Sequence, residues 1–316
     1  ARCIRNDEID ILIDLNGLTA GSRLQVLRWR PAPIQATYLG FVGPVPIPEL
    51  DYMFCDDFVV PPSVASAYQP RPLYVAQNYQ VNDSKRAIGT PTSRAVAGLP
   101  DDRFVFVCFS NHYKITEQMF TAWMSILSQV ENGVLWLIAD NPWSCQSLRQ
   151  RAAAAGIDPE RIAFAGRVDP SEYMSRLSLA DLFVDTFPYN AGTIASDALR
   201  MGLPLMTLSG ESFVSRMAGR LLSAVGAECG IARNLADYVQ IATTLATDRQ
   251  AWKAYKALFT ENRWAESVGN IGEFTSQYEA TLTRIHIDRH RPQQATALQP
   301  IPSSRTSDLA CIKSTL

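Results

Sequence analysis

Residues 184–208 read VDTFPYNAGTIASDALRMGLPLMTL. An apolar run closes on Asp185, and a turn holding Pro188 follows. Gly192 and Thr193 then lead into a segment with apolar residues at helical spacing, which stops at Gly202. A second apolar run, 204–208, begins almost at once. Strand, turn, helix and strand in so short a span make a βαβ unit, and two strands joined by a crossover helix lie parallel in a sheet.

The same alternation runs outward in both directions. Apolar runs at 104–109 (FVFVCF), 134–139 (VLWLIA), 161–166 (RIAFAG), 182–187 (LFVDTF) and 204–208 (PLMTL) read as buried strands. Between them lie helical patterns at 116–130, 147–156 and 170–180, and another follows at 212–226. Thr116 reads as the N-cap of the first of these, with Glu117 in its first turn. Five such strands complete one doubly wound half of the kind that binds nucleotides.

The N-terminal part repeats the pattern but is short. Strands are expected at 9–15, 34–40 and 50–55, too few for a second full half. We therefore expect a partial Rossmann-like lobe over 1–60. A Pro-, Ser- and Asn-rich connection between lobes is expected over 61–100, and the complete lobe over 101–233. Helices at 234–247, 249–259 and 270–285 make up a segment 234–286, and 287–316 reads as a disordered tail.

The chain has 316 residues, of which 47% are hydrophobic and 19% charged, with a formal net charge of −2. That is a globular composition with no charge signature for nucleic acid or an anionic membrane. No apolar stretch reaches the roughly 20 residues of a membrane span. The first ten residues carry no apolar signal region and no initiator Met, so a piece of a longer chain is expected. The six cysteines form no CxxC and fit no zinc spacing. Cys55 and Cys108 lie in apolar runs and read as reduced, buried thiols of a cytoplasmic protein.

In a doubly wound sheet, ligands bind outside the carboxyl ends of the strands. Three segments put chemistry there. Ser110 to Lys114 (SNHYK) follows the first strand of the complete half, where Lys114 either neutralises a pyrophosphate or is a solvated loop lysine. At the opening stretch, Gly192 permits close backbone approach, and Thr193 with the helix dipole favours a phosphate. Asp197, four residues on from Thr193, would repel phosphate but accept ribose hydroxyls. A helix-capping Thr193 and a first-turn Asp197 without a ligand explain the same spacing equally well. Tyr173 and Arg176 share one face of the 170–180 helix, which suits a surface helix as well as a site. There is no GxGxxG after a strand and no GxxxxGK[ST], which argues against a dinucleotide-type Rossmann enzyme and a P-loop.

Three separated stretches in order, LRWRPAPIQATYLGFVG (27–43), FSNHYKIT (109–116) and DTFPYNAGTIASDALRMGLPLMTLSG (185–210), resemble the catalytic region of the O-linked N-acetylglucosamine transferase/SPINDLY family. The resemblance covers about residues 1–285 and is greatest to bacterial members. It implies an α/β fold of glycosyltransferase-B type, usually preceded by tetratricopeptide repeats. It also implies transfer of a sugar, usually from UDP-GlcNAc, to protein Ser or Thr hydroxyls, with inversion and without a metal or other cofactor. By the same resemblance Lys114 binds the diphosphate and stabilises the leaving group, with Asn111 as a polar amide in its loop. Thr193 binds phosphate beside Gly192, Asp197 holds the ribose, and Tyr173 and Arg176 lie beside the nucleotide.

The sequence departs from the pattern in places. Ile194 stands where many members have a second threonine, and Tyr173 stands where animal enzymes have a histidine. The segment GFVGPVPIPELDY (40–52) lacks a Gly-Thr-rich turn, and YVAQNYQ (74–80) lacks the usual Pro and a His. The family's N-lobe histidines would precede residue 1. The resemblance therefore leaves three expectations: an O-GlcNAc transferase-like enzyme, a SPINDLY-like O-fucosyltransferase using GDP-fucose, or a nucleotide-sugar-binding module without turnover.

Overall fold

The computed structural model describes residues 1–75 and 78–290. It holds two compact units. The first comprises Ala1–Val81, Ser212–Val214 and the described residues from Asn270 on; the second comprises Asn82–Glu211 and Ser215–Gly269.

The first unit opens with the short helix α1 (Arg2–Asn6) and is built on a four-stranded sheet in the order β1 (Ile11–Asp14), β2 (Ile34–Thr37), β3 (Tyr52–Cys55), β4 (Arg71–Tyr74). Every pairing is parallel, with Ile11 opposite Ile34 and Phe54 opposite Leu73. β4 lies inside the stretch read as a connection. Only four residues pair, one of them Pro72, so the apolar run is too short to stand out beside its Pro-rich flanks.

The second unit carries the complete half. Its elements in chain order are β5 (Phe104–Cys108), α2 (Glu117–Gln129), β6 (Gly133–Ile138), α3 (Pro142–Ala154), β7 (Ile162–Ala165), α4 (Pro170–Leu177) and β8 (Leu182–Val184). There follow α5 (Thr193–Arg200), β9 (Leu205–Leu208), α6 (Met217–Ala224), β10 (Ile231–Ala232), α7 (Leu235–Thr247), α8 (Arg249–Lys256) and α9 (Glu261–Glu266). The helix α10 (Ile271–His290) returns to the first unit, where Tyr278 packs on Phe54 with ring centroids 4.8 Å apart.

The strands of the second unit form a parallel six-stranded sheet, β7-β6-β5-β8-β9-β10. Counted within the unit this is the doubly wound order 3-2-1-4-5-6. It reverses direction between β5 and β8, so the carboxyl ends of those two strands frame the switch-point crevice. β5 and β6 are apolar on both faces because helices cover both sides. α2 starts where Thr116 accepts from the Met119 N–H at 3.3 Å, and it buries Met119, Phe120, Trp123 and Leu127.

Several expected boundaries move. α3 begins at Pro142 rather than near 147, because Asn141 caps it by accepting from Ser144 N–H at 2.9 Å. The single helix expected over 212–226 is a 3-10 turn, Phe213–Ser215, followed by α6; the Phe213 ring is drawn edge-on against Tyr79, 5.1 Å away. α9 is a polar helix with no sequence signal beyond its Thr260 cap and the buried Trp264. Residues 287–290, expected to begin a disordered tail, are the last turn of α10, and the rest of that tail lies outside the described residues.

Candidate functional site

The crevice at the β5/β8 switch point is built from two turns. After β5, Phe109 and Ser110 lead into a 3-10 turn, His112–Lys114, with Asn111 at its N-cap. Lys114 N–H donates to the Asn111 carbonyl at 3.0 Å, which closes the turn. His112 fastens this turn to the start of α3. Its N–H reaches Asp140 Oδ2 at 3.3 Å, and its Nδ1 lies 2.6 Å from Ser144 Oγ. The Asn111 side chain is exposed.

After β8 the chain makes the turn that begins at Asp185, whose carboxylate is fully buried and organises the whole segment. One oxygen accepts from the N–H groups of Thr186 and Ala191, both at 2.8 Å, and the other accepts from Thr207 Oγ1 at 2.7 Å. The Asp185 carbonyl accepts from the Tyr238 hydroxyl at 2.8 Å. Asn190 Nδ2 closes the turn onto the Thr186 carbonyl at 2.8 Å, and its Oδ1 is buried without a hydrogen-bond partner among the described residues. Burial pushes the Asp185 carboxyl up to about 7, against the bonds from Thr207, Ala191 and Thr186 and the charge of Lys114.

Lys114 joins the two turns. Its Nζ lies 3.4 Å from the Asn190 carbonyl, a long contact, and 3.7 Å from the centre of the Tyr189 ring. Burial pulls the ammonium below its ordinary range, while Asp185 acts in the opposite sense. An ammonium has three donors, and among the described residues only the Asn190 carbonyl takes one. The site thus presents a cation with spare donors at the switch point.

The turn runs into α5. Gly192, not Thr193, occupies the N-cap, and no side chain among the described residues caps the helix. Thr193 is the first helical residue and is exposed. The capping role open to Thr193 in the sequence is therefore not the one it adopts. With no cap, the first N–H groups of α5 remain available to an anion, and the helix dipole favours one.

Asp197 is nearly buried on α5 and accepts from Arg86 Nη1 with both oxygens, at 3.0 and 2.9 Å. Arg86 lies in the stretch read as a connection, 111 residues from its partner, and no local pattern marks it. The Arg86 guanidinium also faces the Tyr173 ring, 5.7 Å from its centre. The Tyr173 hydroxyl is buried without a hydrogen-bond partner among the described residues, and burial first and Asp197 second raise its pKa. Lys114, Asn111, Gly192 and Thr193 are thus gathered on the two switch-point turns, with Asp197 and Tyr173 grouped around Arg86. Arg176 is not drawn into either group. Its guanidinium is engaged by Glu172 Oε1 and the Gly166 carbonyl, both at 2.9 Å.

A model of glycosyl transferase family 41 matches residues 1–91 and 87–278. The chain is 35% identical over 309 residues to a probable UDP-N-acetylglucosamine–peptide N-acetylglucosaminyltransferase, SEC, of Arabidopsis thaliana; the match covers 95% of this chain and 32% of that protein. It is 30% identical over 283 residues to the SPINDLY protein of Petunia hybrida, which bears the same enzyme name, covering 88% of this chain and 30% of that one. The chain thus spans about a third of the length of these relatives. Among solved structures, a mutant of the Thermobaculum terrenum O-GlcNAc transferase matches with a TM-score of 0.83 at 26% identity, over 91% of this chain and 55% of that one. The GtfA/B complex matches with a TM-score of 0.55 at 13% identity, over 91% and 59% of the two chains, a likeness of fold alone. The architecture is a glycosyltransferase-B-type α/β fold, and the chain belongs to glycosyl transferase family 41.

Proposed function

We propose that this chain is the nucleotide-sugar-binding part of a protein O-GlcNAc transferase-like enzyme. It moves N-acetylglucosamine from UDP-GlcNAc to Ser or Thr hydroxyls of proteins, with inversion and without a metal. The observation that carries this reading is the Lys114 ammonium, half-buried against the turn that leads into the uncapped α5, with donors to spare.

The chemistry follows from charge. As the sugar leaves, negative charge grows on the departing diphosphate. A fixed ammonium and first-turn amides, already oriented and partly shielded from water, stabilise that charge more than they stabilise the bound donor. In this reading Lys114, Gly192 and Thr193 hold the diphosphate, with Asn111 in the same loop. Asp197 accepts the ribose hydroxyls, and Tyr173, grouped with it around Arg86, lies beside the nucleotide. We assign donor binding to the second unit. The buried thiols Cys55 and Cys108 suit a reducing compartment, and we place the protein in the cytoplasm. No helix among the described residues is long and apolar enough to cross a membrane.

The test is a donor-hydrolysis and transfer assay with UDP-GlcNAc and GDP-fucose, with and without a Ser/Thr acceptor peptide. Release of UDP with labelling of the peptide is expected. Release of GDP but no UDP would replace this reading with O-fucosyl transfer. UDP binding without transfer would make the chain a binding module.

A further inference from the structure

Arg86 is held in place by a backbone dock. Gly89 N–H donates to the Ser171 carbonyl at 2.8 Å, at the start of α4, and a Cβ on Gly89 would stand 2.9 Å from that carbonyl's atoms. On the other side Arg200, the last residue of α5, donates to the carbonyls of Asp83 at 3.3 Å and Ser84 at 3.0 Å. The segment is thereby laid across α4 and α5. Arg86 drops from it onto Asp197, with side chains 30% and 12% exposed respectively.

A carboxylate this enclosed needs a cation to remain ionised. Burial raises the Asp197 pKa, and Arg86 is the foremost group opposing it, followed by Arg200. An ionised carboxylate has about four lone-pair positions. Arg86 takes one on each oxygen, which leaves one on each for a second pair of donors. The two hydroxyls of a ribose, on adjacent carbons, form such a pair.

We infer that Arg86 is a positioning residue that sets ribose selectivity: it orients the Asp197 carboxylate so that both oxygens accept the 2′- and 3′-hydroxyls of a ribonucleoside diphosphate. This rests on the reading of Asp197 as the ribose acceptor. A 2′-deoxyribose satisfies only one of the two oxygens. Without Arg86 the carboxylate is free to rotate and to take up a proton, and the preference for the 2′-hydroxyl fades.

Titration calorimetry with UDP and 2′-deoxy-UDP tests this on the wild-type chain, Arg86→Met, Arg86→Lys, Asp197→Asn and the Arg86→Met/Asp197→Asn double variant. Thermal melting establishes that each variant is folded. The wild type is expected to favour UDP by about tenfold or more, since a site built around a substrate hydroxyl penalises its absence. Arg86→Met should weaken UDP binding by about tenfold and bring the UDP to deoxy-UDP ratio to about twofold. Arg86→Lys, which keeps the charge, should restore part of the ratio. In the Asp197→Asn background, adding Arg86→Met should change the ratio no further, because Arg86 acts through Asp197.

A folded Arg86→Met variant with the wild-type ratio overturns the role of Arg86 while leaving the nucleotide site standing. Should that variant not fold, Arg86→Gln is judged by the same ratio. A wild-type chain that does not distinguish the two nucleotides, or an Asp197→Asn variant that keeps full UDP affinity, overturns the ribose reading of Asp197 and the inference with it.

Discussion

Replacing Asp185 by Asn isolates the energetic effect of a fully buried carboxylate at the candidate site. Asn keeps the shape, and its Oδ1 still accepts from Thr186 and Ala191. Its Nδ2 faces Thr207 Oγ1, which can turn from donor to acceptor. The titration, however, disappears. The Asp185 carboxyl rises from 3.8 to about 7 on folding because burial penalises its charge. At ~1.4 kcal/mol per pH unit of displacement, ionising it in the folded chain costs about 4 kcal/mol. Here the folded pKa lies above the unfolded one, so the folded state binds more protons between them. Stability is therefore fully present below about pH 4 and is lost as pH rises toward 7 and just beyond. About 3 kcal/mol of the loss should fall between pH 5 and 8. Guanidinium unfolding of wild type and Asp185→Asn at several pH values across that range reads the difference directly. The wild type should lose stability relative to the variant as pH rises. A difference that stays flat from pH 5 to 8 would refute the argument that Asp185 is charged only at an energetic cost.

Lys114→Ala should lower kcat by about 10²- to 10³-fold while weakening UDP binding much less, because the leaving-group charge is greatest in the transition state. Steady-state kinetics beside calorimetry separates the two, and unchanged turnover removes Lys114 from the mechanism. Asp197→Ala should raise the dissociation constant of UDP by about tenfold, and an unchanged constant leaves Asp197 as no more than the partner of Arg86. Thr116→Ala removes both the cap on Met119 N–H and the bond from Thr116 Oγ1 to the Phe187 carbonyl at 3.1 Å. It should cost about 1–2 kcal/mol in denaturant unfolding, and a variant as stable as wild type would show that the cap is dispensable.

Much of the second unit was legible because its signals are local. Continuous apolar runs alternating with helical spacing specify a parallel sheet wherever they occur, and the turns after β5 and β8 follow from where those runs stop. That placed Lys114, Gly192 and Thr193 on turns at the carboxyl ends of strands without reference to any distant residue; the strand order made those turns neighbours. The short strands β4 and β10 were not legible, since two to four paired residues carry too little periodicity to rise above their flanks. Thr193 was open as an N-cap, and the backbone made Gly192 the cap instead. Arg176 shares a helix with Tyr173, yet the carboxylate one turn before it, Glu172, holds its guanidinium elsewhere.

The sequence by itself determined the alternating strands and helices of a doubly wound sheet and the lysine in the turn after its first strand, because strand and helix periodicity and turn chemistry act over a few residues. Only the tertiary structure decided what surrounds them. Asp185 reads as the ordinary polar end of a strand until the turn folds over it and removes all water. Asp197 reads equally as a ribose acceptor and as an unliganded helix charge, and the structure buries it beyond the first turn of α5, paired with Arg86 from 111 residues away. Burial and ion pairing depend on which distant segments are packed together, and no spacing within either segment records that.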